Sequence, residues 1–319
     1  MSKLFPVVSI SYLATEYVSG KRSKDHFHTD PTIISLAKEI KNAFMEWGFV
    51  YFVDHGIKKD LIQKAFETSK SFFGSEESVK RKFVRQNTGE NWGWVPFNVE
   101  TFEKSRPYDL KECFNFLPKD QFFSKMDDTL PEFMTVQSNF FNACKELSIH
   151  VLRLLTLMLP VGNADFLNSK HIHIGQGNLN ASISRQLFYP PINGKENVLE
   201  NQLRCGEHSD YGTLTFLFQD EAGGLQVVNP NGDYVDATPV ADSIVVNVGD
   251  MLEIWSGGKL KSTRHRVVVP HNCERARQSL TLFIHPDNDV TVSCLGGSNI
   301  YEPVNPYQYL MGKFSETYG

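Results

Sequence analysis

The 319-residue sequence has few cysteines and no long apolar run. Its five cysteines are an odd number and are scattered without a Cys-x-x-Cys pair, which argues against a disulfide framework or a zinc ribbon and indicates reduced thiols. The longest apolar tract, residues 147–159, is interrupted by His150 and Arg153 and is too short to cross a bilayer. No apolar region typical of a signal peptide follows Lys3. We therefore expect a cytoplasmic protein, with a nuclear location left open, and no membrane partner.

Long basic runs, internal repeats and low-complexity segments are also missing. Lys and Arg number 32 against 37 Asp and Glu, a formal net charge of −5, so a nucleic-acid partner is not expected. Hydrophobic residues make up 41% and charged residues 22%, which is typical of a globular protein and excludes disorder, collagen and coiled coil. Phenylalanine is abundant, with 24 residues, and suits aromatic-lined sheets and pockets.

The first half of the chain carries helical signals. Asp30-Pro31 provides an N-cap and an N1 proline for a helix that Gly48 ends, and a short buried strand, 49–53, follows. A second helix is predicted over about 58–73, closed by Gly74, and Pro131 opens the longest one, which ends at Pro160. The aromatic-rich stretch between these two helices has no clear period, and we expect it to be irregular.

From about residue 183 short β-type runs replace the helical pattern, separated by clusters of Gly, Pro, Asn and Asp. The predicted strands are 183–189, 205–210, 213–218, 225–228, 243–248, 251–255, 263–269, 278–285 and 290–294. This order predicts an α+β protein with a jelly-roll core and helices packed on its outside. We expect one compact unit, made of an N-terminal helical support (1–180), the core (181–295) and a C-terminal tail (296–319).

His208-Ser-Asp210 is the first candidate for chemistry. On a strand, residues two apart point to the same face, and His265 on a distant strand is the obvious third ligand. Two imidazoles and one carboxylate form the facial triad of non-haem Fe(II) oxygenases, and zinc is not favoured because no His-Glu-x-x-His helix is present. A His-x-Asp pair alone is more commonly a strand-end hydrogen bond. We interpret the pairs His26/His28 and His171/His173 as solvated and structural, respectively.

The strand that begins at Arg277 alternates strictly between polar and apolar residues. Two interpretations remain open: its polar face lies in water, or it lies inside a barrel, where Arg277 and Ser279 would bind a carboxylate. An earlier strand presents Arg185, Leu187 and Tyr189 on one face in the same manner.

Several motifs together resemble the Fe(II)/2-oxoglutarate-dependent dioxygenase family, and more narrowly its isopenicillin N synthase-like branch. The motifs are Gly206-Glu-His208-Ser-Asp210-Tyr-Gly-Thr-Leu-Thr, Gly224-Leu-Gln-Val, Asn247-Val-Gly249-Asp250-Met-Leu, Trp255-Ser-Gly-Gly, Lys261-Ser-Thr-Arg-His265-Arg-Val, Arg277-Gln-Ser279, and the N-terminal Phe5-Pro-Val-Val-Ser-Ile, Trp47-Gly-Phe-Val-Tyr-Phe-Val-Asp-His-Gly56, Phe72-Phe73 and Lys111-Glu112. The resemblance covers nearly the whole chain. The combined pattern is specific, whereas any one motif would be weak.

The resemblance implies a double-stranded β-helix that holds Fe(II) by His208, Asp210 and His265. The cosubstrate 2-oxoglutarate would chelate the iron, and Arg277 and Ser279, helped by Tyr189, would bind its distal carboxylate. Dioxygen would be the oxidant, with ascorbate as a candidate reductant, and a small organic substrate would be hydroxylated with release of succinate and CO2. Arg185 would contact either the cosubstrate or a polar group of the substrate.

The sequence constrains the substrate weakly. Many plant members have Asn where this chain has Leu187, whereas residues 204–269 are closer to fungal and bacterial members, the fungal thymine hydroxylase among them. Five aromatics are candidates for the barrel mouth, although packing between helices and sheet is the simpler interpretation for most: Trp92, Trp94, Phe97, Phe102 and Phe114. Glu112 is expected to pair with a basic residue.

An iron oxidase that does not use 2-oxoglutarate and a catalytically silent ligand-binding barrel remain alternatives, and the oligomeric state is open.

Overall fold

A computed structural model describes residues 5–85, 91–102, 105–118, 130–192, 198–270, 274–297 and 299–318. The α-helices are α1 (Pro31–Glu46), α2 (Lys59–Phe73), α3 (Glu77–Lys80), α4 (Pro131–Thr156), α5 (Asp250–Trp255) and α6 (Pro306–Tyr318). The strands are β1 (Val7–Ser9), β2 (Phe49–Val53), β3 (Gly93–Val95), β4 (Glu112–Phe116), β5 (Ile183–Tyr189), β6 (Cys205–His208), β7 (Leu214–Gln219), β8 (Leu225–Val228), β9 (Tyr234–Asp236), β10 (Ser243–Val248), β11 (His265–Val267) and β12 (Arg277–Ile284).

The predicted helix starts are where the sequence signals place them. The Asp30 side chain accepts hydrogen bonds from the backbone N–H groups of Thr32 and Ile33, at 2.9 and 3.4 Å, so it caps α1 as its sequence context predicts. Pro131 occupies the first turn of α4, whose 26 residues form the longest helix among the described residues. The periodic apolar stripe of α4 is buried, with Phe140 and Leu147 almost inaccessible to solvent.

Two sheets face each other in the jelly roll that the sequence predicts. The larger has the strand order β1-β2-β10-β7-β12-β5-β4-β3, and the smaller has the order β6-β11-β8-β9. Side chains from both sheets, among them Leu187 and Val245 from the first and Leu225 and Val267 from the second, form one apolar cluster between them. The adjacent residue Val246 points the other way, into a cluster with the helices, because successive strand residues alternate between faces.

Helices α1, α2 and α4 cover the outer face of the larger sheet. Ile40, Phe72 and Phe140 from these helices share a cluster with Phe216 and Leu282 from the sheet. The apolar face of β12, which carries Leu280, Leu282 and Ile284, is therefore buried against helices. Its polar face consequently lies inside the barrel, and the second of the two interpretations left open for this strand is the one observed.

Four features differ from the predictions. Residues 251–255, predicted as a strand, form helix α5, because so short an apolar run is compatible with either period. Residues 290–294 do not form a strand; Val292 makes a single bridge to Val304. The stretch expected to be irregular contains β3 and β4, which pair with each other and extend the large sheet at β5. The C-terminal tail contains a 13-residue helix, α6.

The first 180 residues supply strands as well as helices, since β1 to β4 all join the larger sheet. None of the helices in the described ranges combines the length and the apolarity that a bilayer crossing needs. Four cysteines, Cys113, Cys144, Cys205 and Cys294, are free thiols, and Cys273 lies outside the described residues.

Candidate metal centre and adjoining cavity

The smaller sheet brings His208, Asp210 and His265 together. His208 ends β6 and pairs directly with His265 at the start of β11, and Asp210 follows two residues after His208. One potential ligand atom from each residue lies within 4.8 Å of the others. Asp210 Oδ1 is 3.8 Å from Nε2 of both histidines. The three residues that the sequence proposed as metal ligands therefore converge on one point.

Backbone carbonyls set the orientation of both imidazoles. Nδ1 of His208 donates to the carbonyl oxygen of Gly206 at 2.8 Å, and Nδ1 of His265 donates to that of Thr263 at 3.1 Å. A carbonyl oxygen only accepts, so the proton is on Nδ1 in the neutral ring, and Nε2 keeps its lone pair. In both rings the nitrogen with the free lone pair, Nε2, is therefore the one that lies near Asp210. A metal ion bound between the three side chains needs this arrangement.

The Asp210 carboxylate is oriented in the same way. Its Oδ2 accepts hydrogen bonds from Thr215 Oγ1 at 2.5 Å and from Asn247 Nδ2 at 2.6 Å. Oδ1, the oxygen nearer the two histidines, is left to serve as a ligand. Thr215 and Asn247 are on neighbouring strands β7 and β10, in register with each other. The larger sheet thus orients a ligand that follows a strand of the smaller one.

The protonation states favour metal binding. Burial, reinforced by the neighbouring His265, lowers the pKa of His208 to about 3, so its ring is neutral at physiological pH. Burial alone would raise the pKa of Asp210, but His265, His208 and the hydrogen bonds from Asn247 and Thr215 outweigh it and lower the pKa. Two imidazoles and one carboxylate are the donor set of the non-haem Fe(II) facial triad, so these residues fit that metal.

Arg277 and its neighbours form a second polar cluster inside the barrel. Arg277, Ser279 and Tyr189 are each at most 2% exposed, and Arg277 pairs with Tyr189 across β12 and β5. The Arg277 guanidinium donates to the Gly223 carbonyl at 2.8 Å and to Ser279 Oγ at 3.3 Å, and it lies 4.7 Å from the centre of the Tyr189 ring.

The hydrogen-bond partners of Arg277 are neutral. Besides Gly223 and Ser279 it reaches the side-chain oxygen of Gln219 at 3.4 Å, and no carboxylate among the described residues forms an ion pair with it. An arginine that is 1% exposed needs a counter-charge, because burying an uncompensated charge is costly. The distal carboxylate of a dicarboxylic acid such as 2-oxoglutarate fits this requirement.

A cavity that is partly open to solvent adjoins the triad. Its lining comes from the region before β4, from β5, from β6 and the residues that follow it, from the end of β12 and from α6: Asn91, Glu100, Phe102, Lys111, Ile183, Arg185, Leu187, Cys205, His208, Ser209, Asp210, Tyr211, Phe283, His285, Leu310, Phe314 and Thr317. Arg185 is part of this lining. Its guanidinium contacts Glu100 Oε1 at 3.1 Å and Asn115 Oδ1 at 2.7 Å.

Phe102 forms the wall directly beside the triad. Its ring stacks on His208 with centroids 4.3 Å apart and an interplanar angle of 8°. Lys111 lies over Phe102, with Nζ 4.6 Å from the ring centre, and is paired with Asp109 and with Glu100 at 2.9 Å. Asp109 also accepts a hydrogen bond from the Gly206 backbone N–H at 2.9 Å, so this buried cluster is tied to the segment that holds His208.

The other four aromatic candidates lie elsewhere. Trp94 and Phe114 are buried in the core beside the helices, as the packing interpretation predicts, and Phe97 is partly exposed. Trp92 lines a second cavity that shares Asn91, Ile183 and Leu310 with the first. Glu112 pairs with Lys80 at 2.9 Å, which confirms its prediction.

The additional histidine pairs have no metal-binding geometry among the described residues. His171 is buried, and its two ring nitrogens contact the Leu167 carbonyl and Thr213 Oγ1 at 2.6 and 2.8 Å, so its role is structural as predicted. His26 and His28 lie in a 3-10 helix, Lys24–Thr29, rather than in an open loop.

Several functional neighbours were not found from the sequence. Asn247 belongs to the motif Asn247-Val-Gly249-Asp250-Met-Leu, but nothing in that motif links it to Asp210. Gln219 has no local signal, because it reaches Arg277 only through strand pairing. Leu310 and Phe314 of α6 line the cavity, but the sequence predicts only a C-terminal tail for this segment and no part of the site.

Comparisons with known proteins give the family. The model of the 2OG-Fe(II) oxygenase superfamily matches residues 180–286, and the N-terminal model of the non-haem dioxygenases in morphine synthesis matches residues 22–136. The 2-oxoglutarate-dependent dioxygenase htyE of Aspergillus rugulosus is 31% identical over 307 residues, covering 86% of this chain and 90% of the relative. The proline hydroxylase buaE of Petromyces alliaceus is 28% identical, covering 89% and 94%.

A solved structure agrees over almost the full length. A full-length Neurospora crassa protein, crystallised in complex with alpha-KG and thymine, superposes with a TM-score of 0.82 at 29% identity and covers 98% of this chain and 96% of that one. The chain belongs to the Fe(II)/2-oxoglutarate-dependent dioxygenase family. It is an oxidoreductase that uses Fe(II), 2-oxoglutarate and dioxygen and acts on a small molecule, which confirms the predicted fold, activity and cofactors.

Proposed function

We propose that His208, Asp210 and His265 hold the iron, and that Arg277 and Ser279, with Tyr189, bind the distal carboxylate of 2-oxoglutarate. The observation that carries this proposal is the pairing of two clusters in one barrel: a converging His/Asp/His set and a buried arginine whose described partners are neutral. When bound, iron and 2-oxoglutarate supply the oxidising power for hydroxylation of a C–H bond, with release of succinate and CO2.

The chain itself contributes binding, orientation and exclusion of water. Thr215 and Asn247 keep Asp210 Oδ1 free for the metal, and Phe102 covers one face of His208. The apolar cluster between the sheets surrounds the arginine end of the site and strengthens its attraction for a carboxylate. Each of these groups is already in place before substrate arrives, so little reorganisation is needed.

We infer that Arg185 faces the substrate rather than the cosubstrate. It lines the cavity beside the triad and is paired with Glu100, whereas the proposed carboxylate site is built around Arg277. Leu187, which also lines the cavity, offers no amide for a polar contact. The substrate is a small organic molecule, and ascorbate is the candidate reductant. The net charge of −5 disfavours a nucleic-acid substrate.

The three segments 1–180, 181–295 and 296–319 are proposed to form one folding unit. Strands β1 to β4 of the first segment lie in the same sheet as β5, β7, β10 and β12 of the second, and α6 of the third lines the cavity.

Location in the cytoplasm is proposed on the basis of the four free thiols.

Succinate release tests the proposed function. The purified enzyme, with Fe(II), 2-oxoglutarate and ascorbate, is screened against thymine, L-proline and a wider set of small molecules, with Asp210→Ala as the inactive control. We expect at least one compound to raise succinate release above the substrate-free rate, with product formed in equal amount. Substrate-dependent oxygen consumption without 2-oxoglutarate would contradict the proposal and favour an oxidase.

A further inference from the structure

His285 occupies a special position in the cavity. It follows the last residue of β12 and continues the inward-facing row of Arg277, Ser279, Thr281 and Phe283. Its backbone is fixed, because its N–H donates to Ser182 Oγ at 2.8 Å and its carbonyl accepts from Asn180 Nδ2 at 2.9 Å. The ring therefore has a rigid support at the edge of the sheet.

The ring of His285 is packed against the turn that follows Asp210. A Cβ atom added to Gly212 would lie 3.3 Å from Cε1 of His285, and the backbone N–H of Thr213 donates to the Ile284 carbonyl at 2.7 Å. His285 is only 5% exposed, and it is one of the residues that line the cavity beside the triad.

The ring nitrogens of His285 form no hydrogen bond with any residue of the described part of the chain. In this respect His285 differs from His171, His208 and His265, whose Nδ1 atoms all contact carbonyl oxygens. Burial lowers the pKa of His285 to about 4, so the ring is neutral, with one donor and one acceptor nitrogen. A buried polar group of this kind calls for a partner from the ligand.

The surroundings of His285 indicate what that partner is. The cavity lining combines apolar side chains, Ile183, Phe283, Leu310 and Phe314 among them, with uncharged polar ones such as Asn91, Ser209 and Thr317. The cations of the lining already have carboxylate partners, since Arg185 and Lys111 both contact Glu100 at 3.1 and 2.9 Å. A charged substrate group would compete with these ion pairs, whereas an uncharged polar group can bind a neutral imidazole at little cost.

We propose that His285 is a substrate-binding residue that forms a hydrogen bond with an uncharged polar group, such as an amide or hydroxyl, on a compact substrate. The proposal deepens the proposed function, on which it rests, by assigning the substrate class for the same cavity. His285 is not among the residues assigned to the iron or to the cosubstrate, so we expect its replacement to leave 2-oxoglutarate binding intact.

Four probes of similar shape test this inference: benzamide, benzoate, benzamidine and toluene. Each is measured by equilibrium dialysis against the anaerobic holoenzyme saturated with Fe(II) and 2-oxoglutarate. Benzamide is uncharged and polar, benzoate and benzamidine have nearly the same shape with opposite charges, and toluene has no hydrogen-bonding group. We expect benzamide to bind at least about tenfold more tightly than either charged probe, because charge burial is costly.

Variants of His285 separate the hydrogen bond from packing. His285→Phe should weaken benzamide binding about 5–10-fold, the equivalent of one neutral hydrogen bond, without weakening toluene. His285→Asn should recover part of the benzamide affinity, and the control Phe283→Leu should affect benzamide and toluene alike. The inference is overturned if His285→Phe binds benzamide as well as the unmodified protein does, if a charged probe binds best, or if benzamide does not bind. The visible band of the Fe(II)–2-oxoglutarate complex is recorded in the unmodified protein and in each variant. If this band does not form in the unmodified protein, the proposed function is refuted, whatever the probes show.

Discussion

Removing the guanidinium of Arg277 should weaken 2-oxoglutarate binding strongly and leave iron binding unchanged. Arg277 is 1% exposed, and its described partners are the neutral groups of Gly223, Ser279 and Gln219. In Arg277→Ala the distal carboxylate would remain buried with only the hydroxyl groups of Ser279 and Tyr189 near it. The metal ligands lie on other strands and keep their own hydrogen bonds.

The size of the effect follows from burial. Truncating one partner of a buried, hydrogen-bonded charge pair costs about 2–5 kcal/mol, mainly because the remaining charge is left without compensation. Since about 1.4 kcal/mol corresponds to a factor of ten, the dissociation constant for 2-oxoglutarate should rise roughly 30- to 4,000-fold.

Anaerobic titration of the Fe(II) enzyme with 2-oxoglutarate, followed by the visible charge-transfer band, measures this constant. Arg266→Ala is the matched control, since it removes the same charge from a side chain that stacks on Tyr234 at 3.7 Å and contacts Gln226 at 3.0 Å, away from the proposed carboxylate site. The control should bind 2-oxoglutarate normally. An Arg277→Ala dissociation constant within about threefold of the unmodified enzyme would refute the assignment of Arg277.

Three further changes test other parts of the structure. Asn247→Ala removes a hydrogen bond that orients Asp210 and should lower Fe(II) affinity about 10–100-fold in a metal-competition assay; unchanged affinity would contradict the orienting role. Phe114→Ala, at a fully buried ring between Phe72 and Phe133, should cost about 3–5 kcal/mol in urea unfolding without changing 2-oxoglutarate affinity. Burial lowers the pKa of His171 to about 4, so the unfolded chain binds its proton more readily and stability falls as the pH drops from 6.5 towards 4. His171→Gln should flatten this pH dependence in urea unfolding of the apoprotein, and an identical slope in both proteins would count against the assignment.

Local signals account for most of what the sequence predicts correctly. Asp30 and Pro131 define helix starts through capping and through proline at the first turn, and these depend only on neighbouring residues. The alternation of β12 predicts a strand, but it leaves open which face is buried. Only the packing of helices on the Leu280 and Leu282 face decides that Arg277 points into the barrel.

The features that the sequence does not predict depend on long-range pairing or on short segments. Asn247 reaches Asp210 because β10 pairs with β7, and no local pattern encodes that neighbour. Residues 251–255 have an apolar run too short to separate a helix from a strand. Phe102 meets His208 from a stretch without periodicity, so its stacking depends on tertiary structure.

The substrate part of the site is less determined by sequence motifs than the metal part. The spacing His208-x-Asp210 places two ligands close together at the end of β6, whereas the cavity draws on α6 and on the region before β4 as well. His285 illustrates the difference. Its sequence context marks it only as the next inward-facing residue of β12, and its missing hydrogen-bond partner becomes visible only when the surrounding elements are assembled.

Addition of Fe(II) to the apoprotein in the presence of 2-oxoglutarate, without oxygen, tests the central claim most directly. The unmodified protein should bind iron stoichiometrically and develop the weak visible charge-transfer band of the ternary complex. In His208→Ala the band should be absent, while His171→Gln, which replaces a buried histidine outside the triad, should retain it. A band that persists in His208→Ala, or one that never forms in the unmodified protein, would contradict the assignment of His208, Asp210 and His265 as the iron ligands.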